Sequence, residues 1–164
     1  MLATAVVLGA CAPAPTTRQY DIGRWSIEVP DALGLATAYS DPDEIWLAKP
    51  GPFSGEADST VGAHFSLAVA AAGDPANAAD RSIGSLATAD RVNAVPIAIG
   101  GVQGAVANGT SNGITHVVVA ATDGSETAIV VFSGLDRTQV DATIQSLKVS
   151  RPQGTSLIPP SLGR

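Results

Sequence analysis

The stretch VQGAVANGTSNGITHVVVAATDGSETAIVVFS, residues 102–133, decides the fold of this chain. It contains three apolar segments, at residues 102–108, 114–121 and 127–133. The dipeptides Asn112-Gly113 and Asp123-Gly124 separate them. Such pairs between apolar runs are strong hairpin signals, because both central residues of a type I′ turn need a positive φ. The stretch therefore predicts an antiparallel meander of three strands.

Further strands are indicated upstream of the meander. In residues 25–29, Trp25, Ile27 and Val29 alternate with polar side chains, which is typical of a half-buried strand. Other strands are predicted at residues 35–39, 44–48 and 63–71. These segments predict an α+β fold with an antiparallel β-sheet of about six to seven strands.

Two helices are predicted, and each begins at an aspartate. Asp74 followed by Pro75 is a typical helix start, because aspartate caps free backbone N–H groups and proline fits the first turn. We expect this helix to end at residue 89 or 90. The second helix begins at Asp136, with Gln139 in a variant of the capping box. Their apolar stripes predict that both helices pack on the sheet, on the same face or on opposite faces.

The first residues, MLATAVVLGAC, predict a lipid anchor. An apolar run leads through small residues to Cys11, the only cysteine of the chain. This arrangement resembles the lipobox of bacterial lipoproteins, although the basic n-region of a signal peptide is missing. Either the true start lies upstream of Met1, or the resemblance is accidental. The first interpretation predicts a signal peptide at residues 1–10 and lipidation of Cys11.

Length and composition predict the bounds of the folded domain and the nature of the segments on either side of it. We expect an α+β domain at residues 20–149, between a lipidated cysteine with a Pro/Thr tether at residues 11–19 and a disordered proline-rich tail at residues 150–164. A domain of this size can bury a core without disulfides. The formal net charge is −6, which repels phosphate backbones, so nucleic acid is not expected as a partner.

The order of these segments resembles a known fold. The opening WSIEVP strand at residues 25–30, the IGGVQGAVA segment at residues 99–107 and the closing QSLKV at residues 145–149 together resemble the PsbP-like fold. Within that fold, the chain is most similar to the LpqN-type lipoproteins of high-GC bacteria. The resemblance implies an antiparallel sheet with helices on its faces and an accessory or partner-binding role. It implies no catalytic residues.

Catalytic and metal chemistry find little support in the sequence. His64 and His116 lie on predicted strands with no further ligands in zinc-site spacing. We expect His116 to lie on the polar side of the sheet. No enzyme activity, metal or cofactor is therefore expected.

Two aromatic residues are candidates for partner binding. Phe53 lies in a loop rich in proline and glycine, where an exposed contact is expected. Trp46 is the second candidate, because tryptophan is enriched where binding energy concentrates. In a chain with 4% aromatic residues, however, Trp25 and Trp46 are both expected to fill the core.

The sequence thus predicts a non-enzymatic protein that a lipid anchor holds on the extracytoplasmic face of the cell membrane, where it binds an envelope protein. One alternative is a carrier of a lipid or another small apolar molecule, with a pocket between the sheet and a helix. A hydrolase built from residues scattered along the sequence, including one of the two histidines, is a further alternative.

Overall fold

The computed structural model describes residues 16–49 and 63–150. Cys11, Phe53, the first part of the predicted tether and the predicted tail from residue 151 onward lie outside the described residues. Within these ranges, no helix has the length and apolar character needed to cross a membrane.

The described residues form ten strands and two α-helices. In chain order the elements are β1 (Thr17–Ile22), β2 (Trp25–Pro30), β3 (Ala36–Ser40), β4 (Glu44–Ala48), β5 (His64–Ala71), α1 (Pro75–Leu86), β6 (Ala89–Ile99), β7 (Val102–Ser111), β8 (Ile114–Thr122), β9 (Glu126–Ser133), α2 (Arg137–Ser146) and β10 (Lys148–Val149). One sheet has seven strands in the order β3-β4-β5-β9-β8-β7-β6, and a second has the order β1-β2-β10. All strand pairs are antiparallel. The predicted α+β class is confirmed.

The predicted meander is confirmed as β7, β8 and β9, but its two turns differ. Asn112 and Gly113 have φ values of 51° and 77°, as a type I′ turn requires. At the second turn only Gly124 has a positive φ, of 88°. Here the Asp123 carboxylate accepts hydrogen bonds from two backbone N–H groups, of Ser125 at 2.8 Å and of Glu126 at 2.9 Å. The type I′ prediction is therefore wrong at this turn, although the hairpin forms.

The first helix ends earlier than predicted. Asp74 caps it, as expected, by accepting a hydrogen bond from the Ala76 N–H at 3.1 Å. The backbone is extended at Ala87, with φ −95° and ψ 133°. Arg91 donates to the carbonyl oxygens of Ala87 and Gly84, so its guanidinium satisfies groups that a longer helix would bond internally. The chain continues as strand β6 instead.

Strand β1 also departs from the prediction. It begins at Thr17, which pairs with Pro30, so the strand starts three residues before the domain boundary predicted at residue 20. Ile22 is the only fully buried residue of β1. The strand therefore lacks the alternation of apolar and polar residues by which it could have been recognised.

The seven-stranded sheet separates two apolar clusters. The larger cluster lies between this sheet, the three-stranded sheet and α2, and includes Trp25, Ile27, Leu47, Phe65, Leu67, Val119, Phe132, Val140 and Leu147. The smaller cluster lies under α1 and consists of Ala78, Ala79, Ile83, Ala87, Ala107, Val118 and Ala120. The two helices therefore cover opposite faces of the sheet.

Candidate functional site

The aromatic residues divide between the core and the opposite face of the sheet. Trp25, Phe65 and Phe132 are buried in the larger cluster. Trp46 is only half-buried. Its strand neighbours Ile45 and Leu47 belong to the larger cluster, and alternate residues of a strand point to opposite faces. The prediction that Trp46 fills the core is therefore wrong, whereas the same prediction for Trp25 is confirmed.

Tyr39 lies beside Trp46 on this opposite face. The two residues are cross-strand partners in β3 and β4, and the Tyr39 side chain is 51% exposed. A register shift between Thr37 and Tyr39 produces this pairing. Without the shift, the pairing of Thr37 with Leu47 would continue and place Tyr39 opposite Ile45, which faces the core. Sequence reasoning missed Tyr39 because alternation cannot be counted through a bulge.

His64 covers one side of the Trp46 indole. The two ring centroids are 4.7 Å apart and the ring planes differ by 16°, which is a stacked arrangement. His64 is 5% exposed and pairs with Ala48, two residues after Trp46. Glu44, two residues before Trp46 on the same strand, lies on the same face of the sheet as the indole.

An acidic turn joins β3 to β4 beside these rings. The Asp41 carboxylate accepts hydrogen bonds from the Tyr39 hydroxyl at 2.5 Å and from the N–H groups of Asp43 and Glu44 at 2.8 and 2.7 Å. The Tyr39 hydroxyl and the backbone N–H groups together lower the pKa of Asp41. The same contact with Asp41 raises the pKa of Tyr39. Asp41 is thus committed to the turn, whereas the carboxylates of Asp43 and Glu44 form no ion pair within the described residues.

We call Tyr39, Trp46, Asp43 and Glu44 the aromatic–acidic surface. Helix α1 packs mainly over β6, β7 and β8 and reaches β9 only at its margin. Strands β3 and β4, which contain this surface, therefore extend beyond the part of the sheet under α1.

His116 lies on the same sheet face as Trp46, but deeper. It is 4% exposed, and its Nδ1 atom and the Ser133 hydroxyl share a hydrogen bond of 2.8 Å. Its Nε2 atom is buried without a hydrogen-bond partner in the described part of the chain. Burial lowers the pKa of His116. The prediction of a polar side for His116 is thus wrong, because the residue is enclosed by protein rather than solvated.

The histidines and Ser133 form a row across three strands. Ser133 of β9 is the register partner of both His64 in β5 and His116 in β8. A serine hydroxyl that is hydrogen-bonded to a histidine is the arrangement found in enzymes with an activated serine nucleophile. Ser133 is 1% exposed, however, and a buried hydroxyl in the middle of a sheet gives a substrate no access. Among residues 16–49 and 63–150, no group of three or more metal-ligating side chains comes together.

An apolar cleft lies on the other face of the sheet, between α2 and strands β6 and β7. Its volume is about 360 Å³, and its lining includes Ile97 and Val106 from the sheet and Ile144 from α2. An ion pair of 2.9 Å between Arg137 and Asp141 borders it. The cleft lies between the sheet and a helix, which is where the pocket of a carrier is predicted from the sequence.

No family model matches the sequence, and no curated protein matches it either. The solution structure of cyanobacterial PsbP (CyanoP) from Synechocystis sp. PCC 6803 is similar, with a TM-score of 0.54, 13% identity and coverage of 87% of this chain and 98% of that one. The Ran-binding protein Mog1p of Saccharomyces cerevisiae is also similar, with a TM-score of 0.53, 8% identity and coverage of 84% and 97%.

A third similar structure, from Bacteroides thetaiotaomicron VPI-5482, has a TM-score of 0.49 and 14% identity. The match covers 80% of this chain and 46% of that one, so this chain spans less than half of that protein's length. The similarity to PsbP confirms the predicted PsbP-like fold. Membership of the LpqN-type lipoproteins stays a prediction.

Proposed function

We propose that this chain is a non-enzymatic protein-binding module that lipid on Cys11 holds at the extracytoplasmic face of the cell membrane. The main support for binding is that Tyr39 and Trp46 lie together on a sheet face outside the core. Tyrosine and tryptophan are enriched among the residues that dominate interface energies. Mog1p, a Ran-binding protein, is an example of a protein of this fold that binds another protein.

The binding proposal can be tested with the full chain bearing Cys11→Ser, which prevents lipidation. Immobilised chain is exposed to an envelope extract of the native host, in parallel with Trp46→Ala, Tyr39→Ala and the control Val95→Ala. Val95 is 53% exposed and lies on β6, at the far edge of the sheet. We expect a partner that the parent and the control retain and that the two aromatic variants lose. Retention that is the same for all four chains would contradict binding at this surface.

The anchor proposal has its own test, because it depends on the sequence around Cys11 alone. Intact-mass analysis of the protein from its native host is expected to show a diacylglyceryl-modified cysteine at the new N-terminus. Cys11→Ala is expected to move the protein from the membrane fraction to the soluble fraction. An unmodified, uncleaved chain in the cytosol would overturn the anchor.

The cleft beside α2 supports a second candidate function, the carriage of a small apolar molecule. Its volume of about 360 Å³ falls near the lower end of the range for ligand pockets, about 300–1,000 Å³. Native mass spectrometry of the gently purified chain would then show a bound apolar ligand. The variant Val106→Phe would remove it by filling the cleft. A chain that is always free of ligand would contradict this function.

A further inference from the structure

We infer that the aromatic–acidic surface binds a basic segment of the partner protein, with an arginine or lysine side chain lying on Trp46 beside Glu44. The inference rests on the proposed function, because it specifies the partner chemistry of the same surface. It depends on the geometry of the rings and on the distribution of charge around them.

The geometry provides a place for a cation between an aromatic ring and a carboxylate. Glu44 and Trp46 are two residues apart on β4, so their side chains leave the same face of the sheet. His64 stacks on the indole, and Trp46 is only half-buried, so part of its side chain is accessible. The register partner of Glu44 is Ala68, whose methyl group leaves room there. A cation within about 6 Å of the indole centroid is attracted to the ring.

The charge distribution makes the surface complementary to a basic partner. Elsewhere in the described residues, four carboxylates have a cation of this chain beside them: Asp31 with Arg18, Asp123 with Arg24, Asp141 with Arg137 and Glu28 with Lys148. Asp43 and Glu44 form no such pair in these ranges, and neither do Asp74, Asp80 and Asp90. What distinguishes Asp43 and Glu44 is that they lie beside the Tyr39–Trp46 pair. The net charge of −6 further favours a basic partner over an acidic one.

The nearest basic residue in sequence does not alter this conclusion. Lys49 follows β4 in the alternation of Ile45 and Leu47, which point into the core, so it is out of phase with Glu44 and Trp46. Tyr39 donates its hydroxyl proton to Asp41, which makes Asp41 an acceptor within the turn. A cationic side chain supplied by the partner would therefore meet Glu44, and Asp43 of the adjoining turn is the next carboxylate along the chain.

The test uses the full chain bearing Cys11→Ser and an acetylated, amidated hexa-arginine peptide as the probe. Hexa-glutamate of the same form is the control peptide. The chain has two tryptophans, so its ¹⁵N–¹H spectrum contains two indole N–H signals, and Trp46→Phe identifies which belongs to Trp46. We expect hexa-arginine to shift the Trp46 signal and to leave that of buried Trp25 in place. Hexa-glutamate is expected to shift neither.

Matched variants distinguish specific binding at the aromatic–acidic surface from the general attraction of an acidic protein for arginine. Asp43→Asn/Glu44→Gln is expected to weaken hexa-arginine binding roughly tenfold, as is Trp46→Leu. The control Asp90→Asn/Asp141→Asn removes the same amount of charge from β6 and α2, and it is expected to weaken binding less than about twofold. Equal weakening by both double variants, or an unmoved Trp46 signal, would overturn the inference.

The same variants distinguish failure of the inference from failure of the proposed function. The natural partner could fail to bind Trp46→Ala but still bind Asp43→Asn/Glu44→Gln. That result would support the proposed binding function and exclude a basic segment as the occupant. The occupant would then be an uncharged surface. A natural partner that all of these variants still bind would overturn both the inference and the proposed binding at this surface.

Discussion

The two faces of the seven-stranded sheet are packed with side chains of very different size. The face toward α2 and the three-stranded sheet buries large residues, including Phe65, Leu67 and Phe132. The face toward α1 buries mostly alanines, among them Ala79 and Ala107. Large side chains fill space between layers, whereas small ones let a helix approach a sheet closely. We therefore expect the first face to be sensitive to truncation and the second to enlargement.

The largest expected effect is the truncation of Phe132 on the first face. Phe132 is 1% exposed and packs against Phe65, with ring centroids 5.4 Å apart. Phe132→Ala is expected to lower the free energy of unfolding by about 3–5 kcal/mol, because it leaves a cavity. Urea unfolding gives this value. The control Val131→Ala, on the other face of the same strand, is expected to lose less, since Val131 is only half-buried.

Enlargement on the second face gives the next largest effect. A Cβ atom added at Gly109 would lie 2.6 Å from the Cβ of Ala87 and 3.3 Å from the carbonyl oxygen of Ala89. Gly109→Ala is therefore expected to cost about 1–3 kcal/mol in the free energy of unfolding, as overpacked sites do. Thermal or urea unfolding measures it. An unchanged stability would show that the layer under α1 can move apart, against the close packing that we describe.

The same substitution inside α1 is expected to have the opposite sign. A Cβ atom at Gly84 would meet nothing within 4 Å, and glycine in a helix interior is less favourable than alanine by about 0.5–1 kcal/mol. Gly84→Ala should therefore raise the free energy of unfolding by up to about 1 kcal/mol. A loss of stability here would mean that the outer side of α1 is more crowded than the contacts indicate.

The strands that the sequence predicts contribute apolar residues to the core, on one face or on both. Trp25, Ile27 and Val29 alternate because they enter the larger cluster, and the meander has turn residues as well. Strand β6 was missed, because in the whole strand only Ile99 is fully buried, so no alternation marks it. The small residues under α1 were equally hard to interpret, since alanines do not reveal which face of the sheet they cover.

The candidate site was predictable in part. Trp46 was named as a binding candidate because of its residue type, but its position beside Tyr39 depends on the register shift in β3, which has no sequence signature. Asp41, Asp43 and Glu44 of the acidic turn stand close together in the sequence, but their separate roles do not follow from it. Asp41 differs from Asp43 and Glu44 because its carboxylate accepts hydrogen bonds from the Tyr39 hydroxyl and from two backbone N–H groups. These hydrogen bonds form only in the folded chain.

The smallest expected effect is a dependence of stability on pH that arises from His116 on the α1 face of the sheet. The folded-state pKa of His116 is lowered by burial, while an unfolded histidine titrates at about 6.5. The unfolded chain therefore binds more protons. The contribution of His116 to stability is fully present above the unfolded pKa and is lost as the pH falls through the folded pKa. The free energy of unfolding should thus decrease as the pH is lowered from about 7.5 to 5.5.

The variant His116→Asn separates this effect from the other titrating groups. An asparagine can keep the hydrogen bond that Nδ1 forms with Ser133, at 2.8 Å in the parent, but it cannot take up a proton in this pH range. We expect the pH dependence between about 7.5 and 5.5 to become shallower in this variant. His64→Asn serves as the control, because it removes the other histidine of the same row. If His116→Asn left the slope unchanged while His64→Asn reduced it, the proton would be taken up by His64 beside Trp46, and the assignment to His116 would be wrong.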